Sequence, residues 1–198
     1  YRGGAIYATR HLPIVASRFV GNQSDGSGGA IAGDMTVALD RNLLFDNSAQ
    51  QDGGALYLRV DLATGTEPTV VANNLWVNNQ SGRYGGALYF DNSVSDATSA
   101  VLHNTIVSSA PSAIYVAAGR VDVVNSILVG QSIGIQQAGG SVTSRYNLFY
   151  KNGQDVVGTV TQSNDLNSDP RFVDAAKGDY HLQDGSPAID SGTDAGIT

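Results

Sequence analysis

The chain has no cysteine, few Met, Glu and Lys residues, and few basic residues overall. Its 198 residues include one Met, one Glu and two Lys. The absence of Cys excludes disulfide bonds, although it still permits an oxidising compartment. No window keeps helical spacing over three turns, which excludes a helical repeat protein. Eleven basic residues against 18 acidic ones give a net charge of -7. Phosphate groups need a basic surface, so nucleic acids and anionic membranes are not expected partners.

Long apolar segments are also missing. No run approaches the roughly 18 residues that a membrane-spanning helix needs, so we expect no membrane insertion. The chain begins at Tyr1 rather than at Met. We therefore expect a trimmed start, with two alternatives: a piece of a longer surface protein, or a fibre subunit whose first coil is covered by a neighbouring molecule.

A short signature, Gly-Gly-Ala followed by Ile or Leu, recurs along the first half of the chain. It occupies residues 3–6, 28–31, 53–56 and 85–88. A second pattern, an aromatic residue or Leu followed after two residues by Asn, keeps the same intervals at 19–22, 44–47 and 76–79. Short apolar alternations bounded by Gly, Asn, Asp and Ser separate the signatures, and they predict strands of three to six residues. A period near 22 residues fits three strands and three turns, which is one coil of a parallel β-helix.

The repeats predict an all-β, single-stranded parallel β-helix of about seven coils over residues 1–164. Residues 165–198 are expected to form a C-terminal cap of the same domain, with Phe172, Tyr180, Leu182 and Ile189 folded over the last open coil. A rise of one strand spacing per coil predicts a body roughly 30–40 Å long. Longer loops at 59–68 and 91–96 are expected to form a ridge on one side.

Two stretches resemble known families. The pairing of Gly-Gly-Ala with Phe-x-x-Asn over residues 1–90 resembles the repeats of polymorphic outer-membrane proteins, which implies a right-handed parallel β-helix on a bacterial surface. Residues 169–192 contain Asp-Pro-Arg-Phe-Val-Asp, Gly-Asp-Tyr-His-Leu and Gly-Ser-Pro-Ala-Ile-Asp-Ser-Gly. They resemble the ending of the choice-of-anchor β-helix family, which implies export to the envelope or the exterior. Neither resemblance implies a reaction.

A column of asparagines follows the coils. Its members are Asn42, Asn74, Asn104, Asn125 and Asn147. Because an amide carries both donors and an acceptor, stacked Asn side chains can bond one another. We predict a structural ladder rather than a polar binding track.

A second column consists of tyrosines. Tyr7, Tyr57, Tyr89 and Tyr115 each follow an apolar residue expected to face the core, so strand alternation directs them outward. Two interpretations stay open: a binding stripe for sugar rings or another protein, and a side-chain stack that stabilises the sheet.

Catalytic and metal-binding signals are weak. Polysaccharide lyases and hydrolases of the pectin lyase-like fold also use β-helices, and the hydrolases need clustered carboxylates. Here no Asp-Asp pair occurs, and the best candidate group is Asp122 with His103 and Arg120. No cofactor is expected. Calcium could bind aspartates, but the regular spacing of a calcium array is missing. The candidate ligands are Asp34, Asp40, Asp46, Asp91 and Asp96.

Together these patterns predict a non-enzymatic structural β-helix of the bacterial cell surface or extracellular space. End-to-end association through Ile6 and Ile31 would build fibres. The first alternative is an adhesin-type module that binds glycans or host proteins, and the second is a polysaccharide lyase or hydrolase.

Overall fold

A computed structural model describes residues 3–60, 67–93 and 98–196. Over these residues the chain winds into seven stacked coils, and every coil adds one strand to each of three parallel sheets. The prediction of an all-β parallel β-helix with about seven coils is confirmed. The right-handed sense of the coil stays a prediction.

The strands of each sheet come from successive coils. Sheet 1 contains β1 (Ile6–Ala8), β5 (Ile31–Gly33), β9 (Leu56–Arg59), β13 (Leu88–Asp91), β16 (Ser112–Ala118), β19 (Ile133–Gln137) and β22 (Gln154–Val157). Sheet 2 contains β2 (Leu12–Val15), β6 (Val37–Asp40), β10 (Val70–Ala72), β14 (Thr98–Leu102), β17 (Arg120–Val124), β20 (Ser141–Arg145) and β23 (Val160–Ser163). Sheet 3 contains β3 (Arg18–Val20), β7 (Leu43–Phe45), β11 (Leu75–Val77), β15 (Thr105–Val107), β18 (Ile127–Val129), β21 (Leu148–Tyr150) and β24 (Leu166–Asn167). A fourth sheet joins β4 (Gln23–Ser24), β8 (Ser48–Ala49) and β12 (Gln80–Ser81).

Among the described residues, coils 1 to 3 therefore have four strands each, whereas coils 4 to 7 have three. The regular spacing of the repeats keeps equivalent residues opposite one another, as in the pairing of Leu56 with Ile31 and Leu88. One continuous apolar core results. On sheet 3 the aromatic or Leu position of each repeat points into it and is buried, at Phe19, Leu44, Trp76, Ile106, Leu128 and Phe149.

The Gly-Gly pairs mark the corner before sheet 1. The first glycine of each pair has a positive φ, for example 66° at Gly53, which favours a residue without a side chain. The second lies against the next coil: a Cβ placed on Gly54 would lie 2.2 Å from the carbonyl oxygen of Gly86. The repeated signature is therefore a requirement of close coil stacking at this corner.

The C-terminal segment leaves the coils after β24. It forms an antiparallel hairpin of β25 (Phe172–Asp174) and β26 (Asp179–Leu182), joined through the 3₁₀ helix Ala175–Lys177. It then lies against the side of the solenoid, where the Asn125 amide donates to the Thr193 carbonyl at 2.7 Å. Ala195 packs nearby on Ala72, Leu102 and Val124 of sheet 2. These contacts place residues 193–195 beside coils 3 to 5, and a capping role over the last coil stays a prediction.

In the described part of the chain, no helix has the length and apolar character needed to cross a membrane.

Candidate functional site

A column of buried polar side chains lies at the corner between sheets 2 and 3. In its centre the Asn42 amide donates to Asn74 Oδ1 at 3.0 Å, and the Asn74 amide donates to Asn104 Oδ1 at 3.1 Å. Each amide also donates to a carbonyl of the coil before it, as Asn104 does to Val71 at 2.8 Å. The column, which we call the first ladder, runs through Ser17, Asn42, Asn74, Asn104, Ser126, Asn147 and Asp165.

The prediction was wrong at Asn125. Ser126 occupies the ladder in coil 5, where it accepts from the Asn104 backbone N–H at 3.2 Å and donates its own N–H to Asn147 Oδ1 at 2.8 Å. Asn125 is the preceding residue, with a φ of 52°. Asn tolerates this left-handed conformation better than most residues, so it fits either position. Only the strand register, which places Ile127 opposite Thr105, determines whether Asn125 or Ser126 occupies the ladder.

A second ladder lies at the corner after sheet 3, and the sequence analysis did not assign it. The Asn22 amide donates to Asn47 Oδ1 at 2.8 Å, and the Asn47 amide donates to Asn79 Oδ1 at 2.9 Å. The ladder continues through Ser109, Gln131 and Asn152. Its signal was the Asn of the Phe-x-x-Asn pattern, whose three clear copies are the first three rungs.

The tyrosines on sheet 1 form a stack. The rings of Tyr57 and Tyr89 lie 4.9 Å apart, and those of Tyr89 and Tyr115 lie 5.3 Å apart, in nearly parallel planes. Tyr84 extends the stack by packing on Tyr115 at 4.5 Å. Tyr57 and Tyr115 are each only 8% exposed although they point away from the core. Tyr7 is separate from this group, 46% exposed, and its hydroxyl donates to Asp34.

Stacking restricts which groups the tyrosine rings can contact. The ring faces of Tyr89 are occupied by its two neighbours, so they are closed to a sugar ring. Burial and the nearby carboxylate of Asp52 raise the pKa of Tyr89, so its hydroxyl stays protonated in the folded protein at neutral pH. The geometry favours the side-chain stack over a ring-face binding stripe.

A polar cleft opens beside this stack on coils 2 and 3. Its volume is about 370 Å³, and its lining includes Asp25, Gln51, Asp52, Tyr57, Arg59 and Arg83. These residues come from two parts of the repeat: the turn before the Gly-Gly pair in three successive repeats, and strand β9. Stacking of the coils brings them together. No motif of the sequence predicted this cleft, which we call the coil 2–3 cleft.

Asp52 is the buried charged group of the cleft. It precedes the Gly-Gly pair of coil 3 and is 7% exposed. Arg83 Nε lies 3.7 Å from its Oδ1, close enough for an ion pair but too far for a hydrogen bond. Burial raises the pKa of Asp52, while the Arg83 charge opposes that shift. Burial of a carboxylate destabilises the folded protein, and such groups are concentrated at functional sites.

The proposed association residues differ in position. Ile6 is half-buried in coil 1, but Ile31 is 0% exposed because coil 1 covers it. The prediction that Ile31 forms part of an association surface was therefore wrong. The assignment of Ile6 stays a prediction.

The candidate catalytic residues lie on two different coils. Asp122 and Arg120 belong to β17, and Asp122 accepts from Thr143 and pairs with Arg145 at 3.9 Å. His103 is exposed at the corner after β14, in the preceding coil, with a φ of 53°. Within the described ranges, no group of three His, Asp or Glu side chains is arranged to hold a metal ion. Asp96 and most of the expected loop ridge lie outside the described residues, which omit 61–66 and 94–97.

Comparison with known proteins finds a family match over a short part of the chain. Residues 16–34 match the family model of the Chlamydia polymorphic membrane protein repeat. The matched segment contains one Phe-x-x-Asn rung of the second ladder and one Gly-Gly-Ala-Ile corner. No curated protein and no solved structure matches the chain. The resemblance of the C-terminal stretch to the choice-of-anchor family stays a prediction. The repeat match and the stacked parallel sheets together indicate a repeat β-solenoid of the bacterial outer-surface type.

Proposed function

We propose that this chain is a structural rod of a bacterial outer-surface protein, located on the cell surface or outside the cell, and that it acts by its shape rather than by catalysis. The observation that carries the proposal is the pair of polar ladders at the two corners that flank sheet 3. Each rung binds the next coil through side chain and backbone together, as Asn74 does with two bonds to Asn104 Oδ1. Such coupling resists bending and fraying between coils.

The core supports the same function. Its buried apolar residues extend from Ile14 in coil 1 to Phe149 in coil 6. Each coil buries its apolar side chains against its neighbours, so the length of the rod follows from the number of repeats. The absence of cysteine makes such a rod independent of the redox state outside the cell.

Surface location is tested on intact cells. Antibodies raised against the purified chain should label the intact bacterium that produces it, and brief protease treatment of the cells should remove the label. A cytosolic protein probed in the same preparation is the control. Labelling that requires permeabilised cells would contradict the proposal.

We also propose that the rods associate end to end into fibres. Ile6 and Leu12 of coil 1 are half-buried, whereas their partners in coil 2, Ile31 and Val37, are fully buried. A further coil stacked on this face, from a second molecule or from more chain, would bury the first pair as well. This supports association through the face that contains Ile6.

Electron microscopy and sedimentation velocity over a range of concentrations test the association. We expect filaments from the purified chain and dispersed particles from Ile6→Lys. The matched control is Val20→Lys, because Val20 is 47% exposed on the side of coil 1. Dispersed particles from the unaltered chain at every concentration, or filaments from Ile6→Lys, would contradict end-to-end assembly.

A further inference from the structure

The coil 2–3 cleft has a hydrogen-bond acceptor that the described residues leave unused. Asp52 Oδ1 is buried and has no hydrogen-bond partner among them. The backbone of Asp52 is fully engaged: its carbonyl accepts from Gly28 N–H at 2.9 Å, and its N–H contacts Ser27 Oγ at 3.4 Å. These bonds hold the backbone of Asp52, and its side chain lines the cleft beside Arg83, whose Nε lies 3.7 Å from the same Oδ1. A buried polar atom without a partner costs roughly 1–3 kcal/mol, which makes it a marker of a ligand group that supplies the missing donor.

The lining of the cleft carries charges of both signs. Asp25 and Asp52 contribute two carboxylates, and Arg59 and Arg83 contribute two guanidinium groups, although Arg59 Nε also lies 3.8 Å from Asp91 Oδ2. An anionic ligand would meet the carboxylates, and a cationic ligand would meet the guanidinium groups. A neutral ligand avoids both repulsions.

Hydroxyl groups can form hydrogen bonds with both the carboxylates and the guanidinium groups of this lining. A hydroxyl donates one hydrogen bond and accepts two, so one ligand can donate to Asp52 and accept from Arg83. Gln51 and the Tyr57 hydroxyl add neutral polar groups to the same lining. The cleft volume of about 370 Å³ is within the range of small-ligand sites.

We propose that the coil 2–3 cleft binds a neutral, hydroxyl-rich sugar unit of a glycan, with Asp52 accepting from a ligand hydroxyl and Arg83 donating to one. The unit enters from the side of the solenoid, beside the tyrosine stack. Its polar edges meet the cleft, since the ring faces of Tyr89 are occupied. This goes beyond the structural role proposed above, and its failure would leave that role unaffected.

The test is an array of neutral oligosaccharides built from glucose, galactose, mannose and N-acetylhexosamines, followed by titration calorimetry of the tightest binder. The array also contains uronic-acid and amino-sugar oligosaccharides of matched length. Asp52→Asn keeps the size of the side chain and removes its charge, and Arg83→Gln removes the opposing guanidinium. Asp184→Asn is the control because Asp184 is exposed in the turn after β26, outside the cleft.

We expect a neutral oligosaccharide to bind the unaltered chain and Asp184→Asn equally. Its affinity should fall at least tenfold in both Asp52→Asn and Arg83→Gln, with thermal unfolding showing that both variants are folded. The proposal would be overturned if no neutral oligosaccharide bound, if binding were restricted to acidic or amino sugars, or if either cleft variant kept the affinity of the unaltered chain.

Discussion

At the scale of single residues, buried amides hold the coils in register. Asn104 is the clearest case, because its Oδ1 accepts from the Asn74 backbone, the Asn74 amide and Trp76 Nε1, each at 3.1 Å. Its own amide donates to the carbonyls of Val71 and Leu102. No other residue type of this size combines an acceptor with two donors, so the site is specific for Asn.

Asn104→Ala should lower the free energy of unfolding by about 3 kcal/mol or more, since several buried groups each lose a partner at roughly 1–3 kcal/mol. Chemical denaturation monitored by the fluorescence of Trp76, the single tryptophan, measures the change. Asn125→Ala is the control, because Asn125 bonds the C-terminal segment at Thr193 rather than the ladder. It should cost about 1–2 kcal/mol, because it removes two part-buried hydrogen bonds and places Ala in a left-handed conformation. Equal losses in the two variants would contradict the assignment of the ladder to Ser126.

Asp52 should instead destabilise the folded chain at neutral pH. Burial raises its pKa above the ordinary value of 3.8, so the folded state holds this proton more tightly than the unfolded state does. Folding is then favoured by protonation, and the benefit is lost as the pH rises through the raised pKa.

Asp52→Asn should therefore raise the free energy of unfolding at pH 7 by about 0.5–1 kcal/mol. The difference between the variant and the unaltered chain should disappear near pH 3, where the carboxyl is neutral in both states. Denaturation at a series of pH values measures it, with Asp122→Asn as the control. A loss of stability at pH 7 would mean that the Arg83 ion pair outweighs the cost of burial.

At the scale of elements, the corners rather than the strands determine which residues recur in each repeat. The strands are short and tolerate any apolar alternation, but each corner admits few residues. At the corner before sheet 1, a Cβ on Gly54 would lie 2.2 Å from Gly86 O and 2.4 Å from Gln80 O. At the corner after sheet 3, Gly21 has a φ of 65°, but a Cβ placed on it would meet nothing within 4 Å, and Asp46 and Asn78 occupy the equivalent places.

Gly54→Ala should therefore cost about 2–4 kcal/mol, because two backbone carbonyls must move. Gly21→Asn should cost less than about 1 kcal/mol, since Asn adopts the left-handed conformation and the space is open. Thermal and chemical denaturation compare the two. Equal losses would show that backbone conformation rather than coil spacing explains the glycines.

At the scale of the whole molecule, every parallel strand pair among the described residues joins two adjacent coils. Stability in such a structure is a sum over adjacent coils, so the effect of a substitution depends on its position along the rod. Ile114 in coil 5 is fully buried between Leu88 and Ile135, whereas Ile6 in coil 1 is half-buried with Ile31 as its partner.

Ile114→Ala should lower the free energy of unfolding by about 3 kcal/mol and reduce amide protection across coils 3 to 6. Ile6→Ala should cost about 1 kcal/mol and reduce protection in coils 1 and 2 alone. Hydrogen exchange with mass spectrometry separates the two patterns. Uniform loss of protection in Ile6→Ala would mean that the rod unfolds as one unit.

The sequence by itself determined the architecture of this protein. Alternating apolar residues set the strands and their inward faces, because side chains on a strand alternate by geometry alone. The regular return of Gly-Gly-Ala and Phe-x-x-Asn set the coil in the first half of the chain, and the spacing of Asn104, Asn125 and Asn147 extended the count to about seven coils. The stacking of Tyr57 and Tyr89 was among the alternatives for the same reason, since equal offsets place them in one column.

Only the tertiary structure decided which residues serve as sites. Asn125 and Ser126 are adjacent in the chain, and their roles depend on which one lies opposite Asn104. Ile31 resembles Ile6 in sequence, yet coil 1 buries it. Asp52 and Arg83 are far apart along the chain and meet because two coils of unequal length stack. Burial, register and contact between coils depend on the neighbouring coil, so the pattern within a single repeat does not determine them.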